Sequence, residues 1–382
     1  MSLPKFCMSF KTVSNWQSLK FLKNELWPVK KMKNMSIRQA SSTSKIQPYE
    51  FLERDVRQMY KLMTKEVHEN VLDEKFKKVC TYYFDINDSW ITTDSFVIRA
   101  TLLISGAINN HLGKDEILET QQQIGRLGEM LLVAFAMYDD ALENAEFRKG
   151  IPSINSVWGA RGASMASMMV QNVAYKIASR MENRVCIDAV IAMNSCLVGE
   201  FLQYETQLTD DLMATYLDKT YQKSAHFAAM IVRAAAVLGG ANDHLAETAF
   251  QIGRNLTMVA QILDDLQDYV STPEMLGKHA GADLRDGIVT APLIYAYEKY
   301  HDEMRPLILR RFQGPNDREL ALDLIKKANG IEETRKLVQK FIEDTNCLVK
   351  SLKESPYQQS LLTFWDRLFK VEVPINKAMH ND

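Results

Sequence analysis

Six acidic side chains of the sequence fall into two groups that share one spacing. The groups are Asp139, Asp140 and Glu143, and Asp264, Asp265 and Asp268. Residues four apart lie on the same face of a helix, so the first and last members of each group are expected to point to one place. Carboxylates this close repel each other unless a cation lies between them, and Mg²⁺ prefers oxygen ligands that it shares with substrate phosphates. The two groups therefore predict a magnesium-dependent clamp for a diphosphate, in which all six residues are metal ligands and catalytic groups.

Each acidic group directly follows an apolar run, over 130–138 and 256–263, and is followed by basic residues. These basic residues are Arg148, Lys149 and Lys278. A single acidic group is more often a solvated helix face. Two groups with one spacing, each at the end of an apolar helix, favour a functional site instead.

Composition limits the class of protein. The chain has 382 residues, of which 46% are hydrophobic and 25% charged, with a formal net charge of −2. These values are typical of a soluble globular protein, and the absence of a basic stripe argues against a nucleic acid partner. The longest apolar run has nine residues, whereas crossing a bilayer takes about 20, so we do not expect an integral membrane protein. Five isolated cysteines indicate simple thiols rather than a metal site.

Residues 1–45 differ from the rest of the chain. They carry nine Lys or Arg and one acid, Glu25, for a net charge of +8, whereas the remaining residues sum to −10. A basic, Ser-rich leader resembles an organelle transit peptide, and a disordered cytosolic tail is the alternative. We therefore expect a leader over 1–45 and one domain over 46–382. The location is mitochondrial if the leader is a transit peptide and cytoplasmic otherwise.

Helical periodicity dominates from about residue 48 onward, and strand-like alternation is hard to find. Glycine and proline mark the breaks between helices. The predicted helices are 49–82, 93–112, 117–146, 159–181, 185–208, 210–238, 243–271, 286–302, 317–328, 330–353 and 356–371. We expect an all-α protein, with the helix over 210–238 at its centre because the second half of that helix is apolar on nearly all faces.

The segment around the second acidic group resembles a known family. Residues 261–269 are Gln-Ile-Leu-Asp-Asp-Leu-Gln-Asp-Tyr, and residues 277–292 are Gly-Lys-His-Ala-Gly-Ala-Asp-Leu-Arg-Asp-Gly-Ile-Val-Thr-Ala-Pro. Together with Gly-Glu-Phe-Leu-Gln at 199–203 and Tyr-Leu-Asp-Lys-Thr at 216–220, they resemble the trans-isoprenyl diphosphate synthase family. The second half of the chain is most similar to the catalytic subunits of decaprenyl-type synthases. The resemblance covers roughly residues 85–380.

The resemblance implies a single-domain, isoprenoid synthase-type helical bundle around a deep apolar cavity, and a homodimer. The two acidic groups would face each other across the mouth of the cavity. Three Mg²⁺ ions would join them to an allylic prenyl diphosphate, two ions at the first group and one at the second. The residues that would bind this substrate are Arg148, Lys219, Thr220, Gln261 and Lys278. Fixed cations there would stabilise the charge that builds on the departing diphosphate.

The chain departs from the family at the second diphosphate site, which holds isopentenyl diphosphate. The family has Gly-Gly-Lys-Arg-x-Arg-Pro where this chain has Asp-Ser-Phe-Val-Ile-Arg-Ala at 94–100, so Phe96 and Val97 replace two cations and only Arg99 remains. The family's upstream histidine is Leu132 here, and its second arginine is Lys149, a point charge rather than a bidentate fork. Arg99 and Lys149 are the cations left for substrate binding. Apolar side chains would leave the acceptor anion without partners.

These losses predict a magnesium-dependent terpene synthase, a lyase similar to the diverged prenyl synthases known among insects. It would ionise an allylic diphosphate and let the cation react with its own double bonds or with water. In the family that the chain resembles, the residue one turn before the first acidic group commonly forms the cavity floor, and here that residue is Phe135. The resemblance therefore implies a C15 or C20 substrate and a sesquiterpene or diterpene product.

Two alternatives remain open. One is a trans-prenyltransferase, a farnesyl, geranylgeranyl or polyprenyl diphosphate synthase, which condenses the allylic substrate with isopentenyl diphosphate at a rebuilt acceptor site. The other is a non-catalytic subunit that regulates an active partner. Retention of all six acidic positions argues against the latter, because a structural partner has no physical need to keep them clustered.

Overall fold

The computed structural model describes residues 50–85, 95–148, 151–205, 208–270 and 281–364, and this part of the chain is almost entirely helical. Its helices are α1 (Glu53–Asn70), α2 (Glu74–Cys80), α3 (Tyr82–Asp85), α4 (Phe96–His111), α5 (Glu119–Leu142), α6 (Ile154–Ala178), α7 (Asn183–Tyr204), α8 (Leu212–Thr220), α9 (His226–Leu238), α10 (Asp243–Val270), α11 (Ala282–Asp286), α12 (Ala291–Lys299), α13 (His301–Leu309), α14 (Asp317–Ala328), α15 (Gly330–Lys350) and α16 (Pro356–Leu362). A 3₁₀ turn over Glu50–Leu52 precedes α1. The all-α prediction is confirmed. The leader predicted over 1–45 lies outside the described residues, so its boundary stays a prediction.

Helix α9 lies in the middle of the bundle, as the sequence predicts. It packs against α4, α5, α7 and α10. Its apolar side chains, such as Phe227, Ile231 and Val232, are buried. Each side chain of this size contributes about 1.5–3 kcal/mol on burial. The helices on either side of α9 carry the two acidic groups at their C-terminal ends, so the packing around α9 determines where those groups lie.

A π turn over Tyr221–Ala225 joins α8 to α9 without a break in the helix. This turn packs against α7 at Gly199, where a Cβ atom would lie 2.2 Å from the backbone nitrogen of Lys223. Only a glycine permits so close a backbone approach. The contact fixes the position of the π turn, and with it the backbone from which Lys223 projects.

Two predicted helices are interrupted in the structure. The helix expected over 49–82 ends at Asn70, and α2 begins after Asp73, whose side chain accepts a hydrogen bond of 2.7 Å from the backbone N–H of Phe76. An aspartate at this position satisfies a free helix N–H and favours a new start. The helix expected over 286–302 begins only at Ala291, after Gly287 at φ 74°, and is divided into α12 and α13. Helices α12 to α14 enclose a second apolar cluster that includes Phe312.

A short antiparallel hairpin follows α5. Its strands are β1 (Phe147–Arg148) and β2 (Ile151–Pro152), and Arg148 pairs with Ile151. The hairpin turns the chain back toward the end of α5, which brings Arg148 onto the first acidic group.

Helix α7 has 22 residues and a mean hydropathy of 1.7. By length and composition alone, it could cross a membrane. In the most apolar stretch of this helix, 39% of the residues are buried within the protein. Apolar core helices meet the same two criteria, so length and composition alone do not place the helix in a bilayer. The expectation that the chain is not an integral membrane protein stays a prediction.

Candidate functional site

The first acidic group lies at the C-terminal end of α5. Asp139 and Asp140 occupy its last turn and Glu143 is its C-cap. The C-terminal end of a helix carries a partial negative charge, so three carboxylates there are unfavourable without nearby cations. Arg148 supplies one: its Nε donates to Asp140 Oδ1 at 2.6 Å and its Nη2 donates to Asp139 Oδ2 at 2.9 Å. Asp140 is fully buried and also accepts a hydrogen bond from the hydroxyl of Tyr83.

The protein surroundings shift the pKa values of this group. Burial raises the pKa of Asp140, and Arg148 opposes that shift. Desolvation of the carboxylate and the charge of Asp139 raise the pKa of Glu143 to about 7, although the residue as a whole is exposed to solvent. The Asp140 shift thus comes mainly from burial, whereas the nearby Asp139 charge also contributes to the Glu143 shift.

The second acidic group lies at the C-terminal end of α10. Asp265 accepts hydrogen bonds from the hydroxyl of Tyr216 at 2.7 Å and from the side-chain amide of Gln261 at 3.0 Å. Asp268 is buried, and its two oxygens accept from the backbone N–H groups of Ala282 and Asp283 at 3.1 and 2.9 Å. Asp268 thus holds the start of α11 in place, whereas Asp264 and Asp265 are half-buried.

A polar pocket next to the second group contains two lysines. Its lining residues are Gln203, Lys219, Thr220, Lys223, Gln261, Asp265, Asp283, Ile288 and Thr290. Burial lowers the pKa of Lys219, although Asp265 opposes this. The structure therefore brings together three of the predicted substrate-binding residues and one predicted metal ligand around a space suited to an anion.

Lys223 was not predicted as a site residue, yet it connects the parts of the site. Its Nζ lies 2.8 Å from Glu200 Oε2 and donates to Gln203 Oε1 at 3.0 Å. Burial alone would lower the pKa of Lys223, but the charges of Asp139, Glu200 and Glu143 raise it. Lys223 lines the polar pocket and also an apolar cavity. Its spacing of four from Lys219 places both lysines on one helix face, and this signal was available in the sequence.

The apolar cavity has a volume of about 80 Å³. Its lining residues are Phe96, Val97, Leu131, Leu132, Phe135, Met193, Cys196, Lys223, Ser224, Phe227, Ala228 and Thr257. Phe135 thus lines the cavity where the sequence predicts a floor. Phe96 and Val97, which replace two family cations, and Leu132, which replaces the family's histidine, line it as well. A chain in this cavity would have its polar end at Lys223.

Arg99, another predicted substrate-binding residue, lines neither the polar pocket nor the apolar cavity. Arg99 is buried and donates to Glu53 Oε1 and to Ser95 Oγ, each at 2.7 Å. Lys149 and Lys278 lie outside the described residues. Their predicted roles stay predictions.

The first acidic group has the donor set for a hard divalent cation. Asp139 Oδ1 is buried and has no hydrogen-bond partner among the described residues. Oxygen atoms of Asp139, Glu143 and Glu200 all lie within 4.8 Å of one another. An all-carboxylate set suits Mg²⁺ or Mn²⁺ rather than a soft metal, so these residues fit the predicted magnesium.

Comparison with known proteins identifies relatives of this chain. A family model described as polyprenyl synthetase matches residues 96–326. An all trans-polyprenyl-diphosphate synthase of Mus musculus is 29% identical over 331 residues, which are 86% of this chain and 79% of the mouse protein. A probable mitochondrial hexaprenyl pyrophosphate synthase of Yarrowia lipolytica is 34% identical over 64% of this chain and 55% of its own length.

Solved structures share the fold. A polyprenyl synthase from Caulobacter crescentus, complexed with calcium and isoprenyl diphosphate, has a TM-score of 0.71 at 21% identity and covers 86% of this chain and 98% of its own. A heptaprenyl diphosphate synthase from Staphylococcus aureus has a TM-score of 0.74 at 19% identity, over 84% and 98% of the two chains. These structures confirm the predicted single-domain isoprenoid synthase-type fold.

The prediction of a terpene synthase, and with it that of a lyase, is wrong. The relatives are named polyprenyl-, hexaprenyl- and decaprenyl-diphosphate synthases, which are transferases. The prediction counted cations at the aligned positions 96, 97 and 132, which line the apolar cavity, and it did not count Lys223. Divergence toward insect-type terpene synthases is not shown. Because the matched family model spans more than half of the sequence, the chain belongs to the polyprenyl synthetase family.

Proposed function

We propose that the protein is a magnesium-dependent trans-prenyltransferase, which condenses an allylic prenyl diphosphate with isopentenyl diphosphate. The position of Lys223 carries this proposal. Its ammonium group interacts with Asp139 and Glu143 of the first acidic group and shares the polar pocket with Asp265 of the second. The same side chain borders the apolar cavity. A substrate with an anionic head and an apolar tail matches a site of this kind.

The chain's own residues account for binding and orientation in this reaction. Lys219, Lys223 and Arg148 are the fixed cations available for the phosphate oxygens of the allylic substrate. Preorganised charges of this kind stabilise a leaving diphosphate without reorganising at the moment of reaction. When bound, Mg²⁺ would neutralise further charge on the same diphosphate. The two acidic groups would hold the Mg²⁺. We propose that three ions bind, the number that the resemblance implies.

The apolar cavity would hold the prenyl chain and keep water from the reacting carbon. Phe135 and Leu132 contribute to its wall. The bond from the allylic carbon to the diphosphate breaks, and its electron pair leaves with the diphosphate. The allylic carbon then bonds to the double bond of isopentenyl diphosphate, and the proton that the acceptor loses passes to the released diphosphate. Exclusion of water favours this outcome over hydrolysis. We propose Lys149, beside Arg148, as one cation for the acceptor diphosphate.

We also propose that the working unit is a homodimer located in mitochondria. Relatives in Yarrowia lipolytica and Oryza sativa carry the word mitochondrial in their names. The basic leader over 1–45 supports import into that organelle. Helix α7 exposes large apolar side chains, among them Ile187, Ile191 and Phe201, and this supports self-association.

Incubation of the full-length protein with Mg²⁺ and geranyl, farnesyl or geranylgeranyl diphosphate, with and without isopentenyl diphosphate, tests the proposed reaction. We expect elongated prenyl diphosphates by mass spectrometry only when isopentenyl diphosphate is present, and no product with EDTA. Asp139→Asn and Asp264→Asn should each lower kcat by about 100-fold or more, as the loss of one charge-stabilising group does. Asp302→Asn makes the same change at a fully exposed side chain and should leave kcat unchanged. Products formed from the allylic substrate without isopentenyl diphosphate would contradict the proposal.

A further inference from the structure

Glu200 is a buried acidic residue to which the proposed function assigns no role. It lies on α7, with 3% of its surface exposed, one residue after the glycine that packs against the π turn. A carboxylate this deeply buried is costly unless it is paired or binds a metal. One oxygen, Oε2, lies 2.8 Å from Lys223 Nζ. The other, Oε1, is buried and has no hydrogen-bond partner among the described residues.

The unpaired oxygen belongs to a group of three carboxylates. Oxygen atoms of Glu200, Asp139 and Glu143 lie within 4.8 Å of one another, and Asp139 Oδ1 is also buried without a hydrogen-bond partner in the described chain. Two independent observations therefore coincide here: oxygen ligands gathered from α5 and α7, and two buried acceptors that bind no donor. A bound cation accounts for both.

The charges near these carboxylates do not balance. Arg148 forms one hydrogen bond to Asp139 and one to Asp140, and its single positive charge offsets only one of their two negative charges. Lys223 is held by Glu200 and Gln203. Three carboxylates around a single lysine leave a negative site, and one divalent ion would bring it close to neutrality.

We propose that Glu200 is a third protein ligand of the divalent cation held by Asp139 and Glu143, so that the metal site of the first acidic group extends from α5 onto α7. In the absence of metal, the Lys223 ammonium group is the counter-ion of this site. A bound divalent ion competes with that ammonium group for Glu200 and frees it for a phosphate oxygen. This inference deepens the proposed function and rests on it for the role of the metal.

A competing explanation is that Glu200 only positions Lys223. The two explanations differ in how substitution of Glu200 and of Lys223 changes the affinity for the metal, measured without substrate. If Glu200 is a ligand, removing its charge weakens binding, whereas removing the Lys223 charge strengthens it because a repelling cation is lost. If Glu200 acts only through Lys223, then Glu200→Gln and Lys223→Met shift metal affinity in the same direction.

The test measures Mn²⁺ binding to the full-length protein by electron paramagnetic resonance, with no diphosphate present. Glu200→Gln should weaken binding about tenfold or more, since even groups that merely support a metal ligand change affinity by that much. Lys223→Met should tighten it. Glu129→Gln is the matched control, because Glu129 is a buried glutamate on α5 that accepts hydrogen bonds from Tyr60 and from the Ile98 N–H. Its replacement should leave Mn²⁺ affinity unchanged. Wild-type affinity in Glu200→Gln overturns the proposal.

A measurement on the unaltered protein guards against a variant that fails to fold. Crystals soaked in Mn²⁺ give an anomalous diffraction peak at the ion. We expect this peak within a bonding distance of about 2 Å of a Glu200 oxygen. A peak that contacts Asp139 and Glu143 but not Glu200 overturns the inference.

Failure of this inference can be distinguished from failure of the proposed function. Metal binding is measured without substrate, and condensation is measured by product mass. A protein that binds Mn²⁺ through Glu200 but forms no elongated product would contradict the proposed function alone. Condensation with an unchanged Mn²⁺ affinity in Glu200→Gln would contradict the role of Glu200 alone.

Discussion

Two buried tyrosines each donate a hydrogen bond to a carboxylate of α5, but in different places. Tyr83 donates to Asp140 and accepts from the backbone N–H of Ile154 at 2.9 Å. Tyr60 donates to Glu129 at 2.7 Å. Burial and the nearby Asp140 charge raise the pKa of Tyr83, which keeps its hydroxyl protonated as a donor. Tyr83 therefore positions a carboxylate of the site, whereas Tyr60 serves the core.

Tyr83→Phe should impair metal use as well as stability. Loss of the hydroxyl leaves Asp140 and the Ile154 N–H without this partner, which costs about 1–3 kcal/mol in the free energy of unfolding. With Asp140 less constrained, we expect the Mg²⁺ concentration for half-maximal activity to rise about tenfold, the range seen when a group supporting a metal ligand is removed. Denaturant unfolding and a Mg²⁺ titration of the condensation rate measure the two effects.

Tyr60→Phe is the control for this prediction. It removes the same hydroxyl from an equally buried ring and should lower stability by a similar amount. It should leave the Mg²⁺ dependence unchanged. An equal shift in Mg²⁺ dependence for both variants would mean that Tyr83 acts through stability alone.

At the scale of single residues, the sequence predicts what is local. The spacing of Asp139, Asp140 and Glu143 is visible without a structure. Tyr83 is 57 residues from its partner Asp140, and no periodicity in the sequence links the two. No periodicity links Glu200 to Asp139 either. The error over the function has a related origin: the sequence shows that family residues are replaced at positions 96, 97 and 132, but not that the replacements line one apolar cavity with Lys223 at its border.

Among the elements, the π turn at Tyr221–Ala225 has the most direct effect on the site. It places Lys223 between the two acidic groups and is fixed by its contact with Gly199. At that glycine, a Cβ would lie 2.4 Å from the Lys223 Cα and 2.2 Å from its nitrogen. Both atoms are backbone, so neither can move aside without shifting a helix.

Gly199→Ala should therefore be destabilising and should disturb Lys223. Overpacking of this kind costs about 1–3 kcal/mol in the free energy of unfolding. Displacement of the lysine should also raise KM for the allylic diphosphate. Chemical denaturation and steady-state kinetics measure both quantities.

Gly125→Ala provides the comparison within α5. A Cβ at Gly125 would meet Ile98 and Thr101 side chains at 3.5 Å, an ordinary contact distance. Because alanine favours a helix over glycine by about 0.5–1 kcal/mol, this variant should be neutral or slightly more stable, with KM unchanged. If Gly199→Ala behaves like Gly125→Ala, then the close packing of α7 on the π turn is not what positions Lys223.

Most element boundaries follow from sequence signals, and the exceptions have a physical cause. Helix α10 begins at Asp243, after Gly239 and Gly240, and ends at Val270, as the sequence predicts over 243–271. The break at Val71–Asp73 contains neither glycine nor proline, and Asp73 is one aspartate among many in this chain. Helix α2, which Asp73 caps, packs against α6, and periodicity does not reveal this contact.

At the scale of the whole molecule, α7 and the neighbouring α6 leave large apolar side chains exposed. On α7 these include Ile187, Val190, Ile191, Leu197, Val198 and Phe201. On α6 they include Trp158, Met165 and Met168. The α7 residues recur every three or four positions, the spacing of a helix that packs against another helix. Exposed Asn194 interrupts this stripe. A lone Asn is common in helix interfaces, where it sets register, and is costly against lipid.

We therefore expect two copies of the chain to associate through α6 and α7. Sedimentation of the wild-type protein should give about twice the 43.7 kDa mass of one chain. Ile187→Glu combined with Ile191→Glu places two charges in the stripe, where desolvation of a carboxylate is costly, and should shift the species to monomer. Leu322→Glu changes a side chain that is 44% exposed on α14 and should leave the dimer intact.

Three results would contradict this expectation, and each points elsewhere. A wild-type monomer that sediments with lipid vesicles would assign the α7 stripe to a membrane surface. A wild-type monomer without vesicle binding would favour a second kind of subunit, since a relative in Schizosaccharomyces pombe is named decaprenyl-diphosphate synthase subunit 1. A dimer that survives both Glu substitutions would place the interface on another face. Helix α7 carries the buried Glu200 as well as these exposed residues. Dimer formation would therefore also restrain the helix that carries the proposed third metal ligand. The monomeric variant should bind Mn²⁺ more weakly than the wild type.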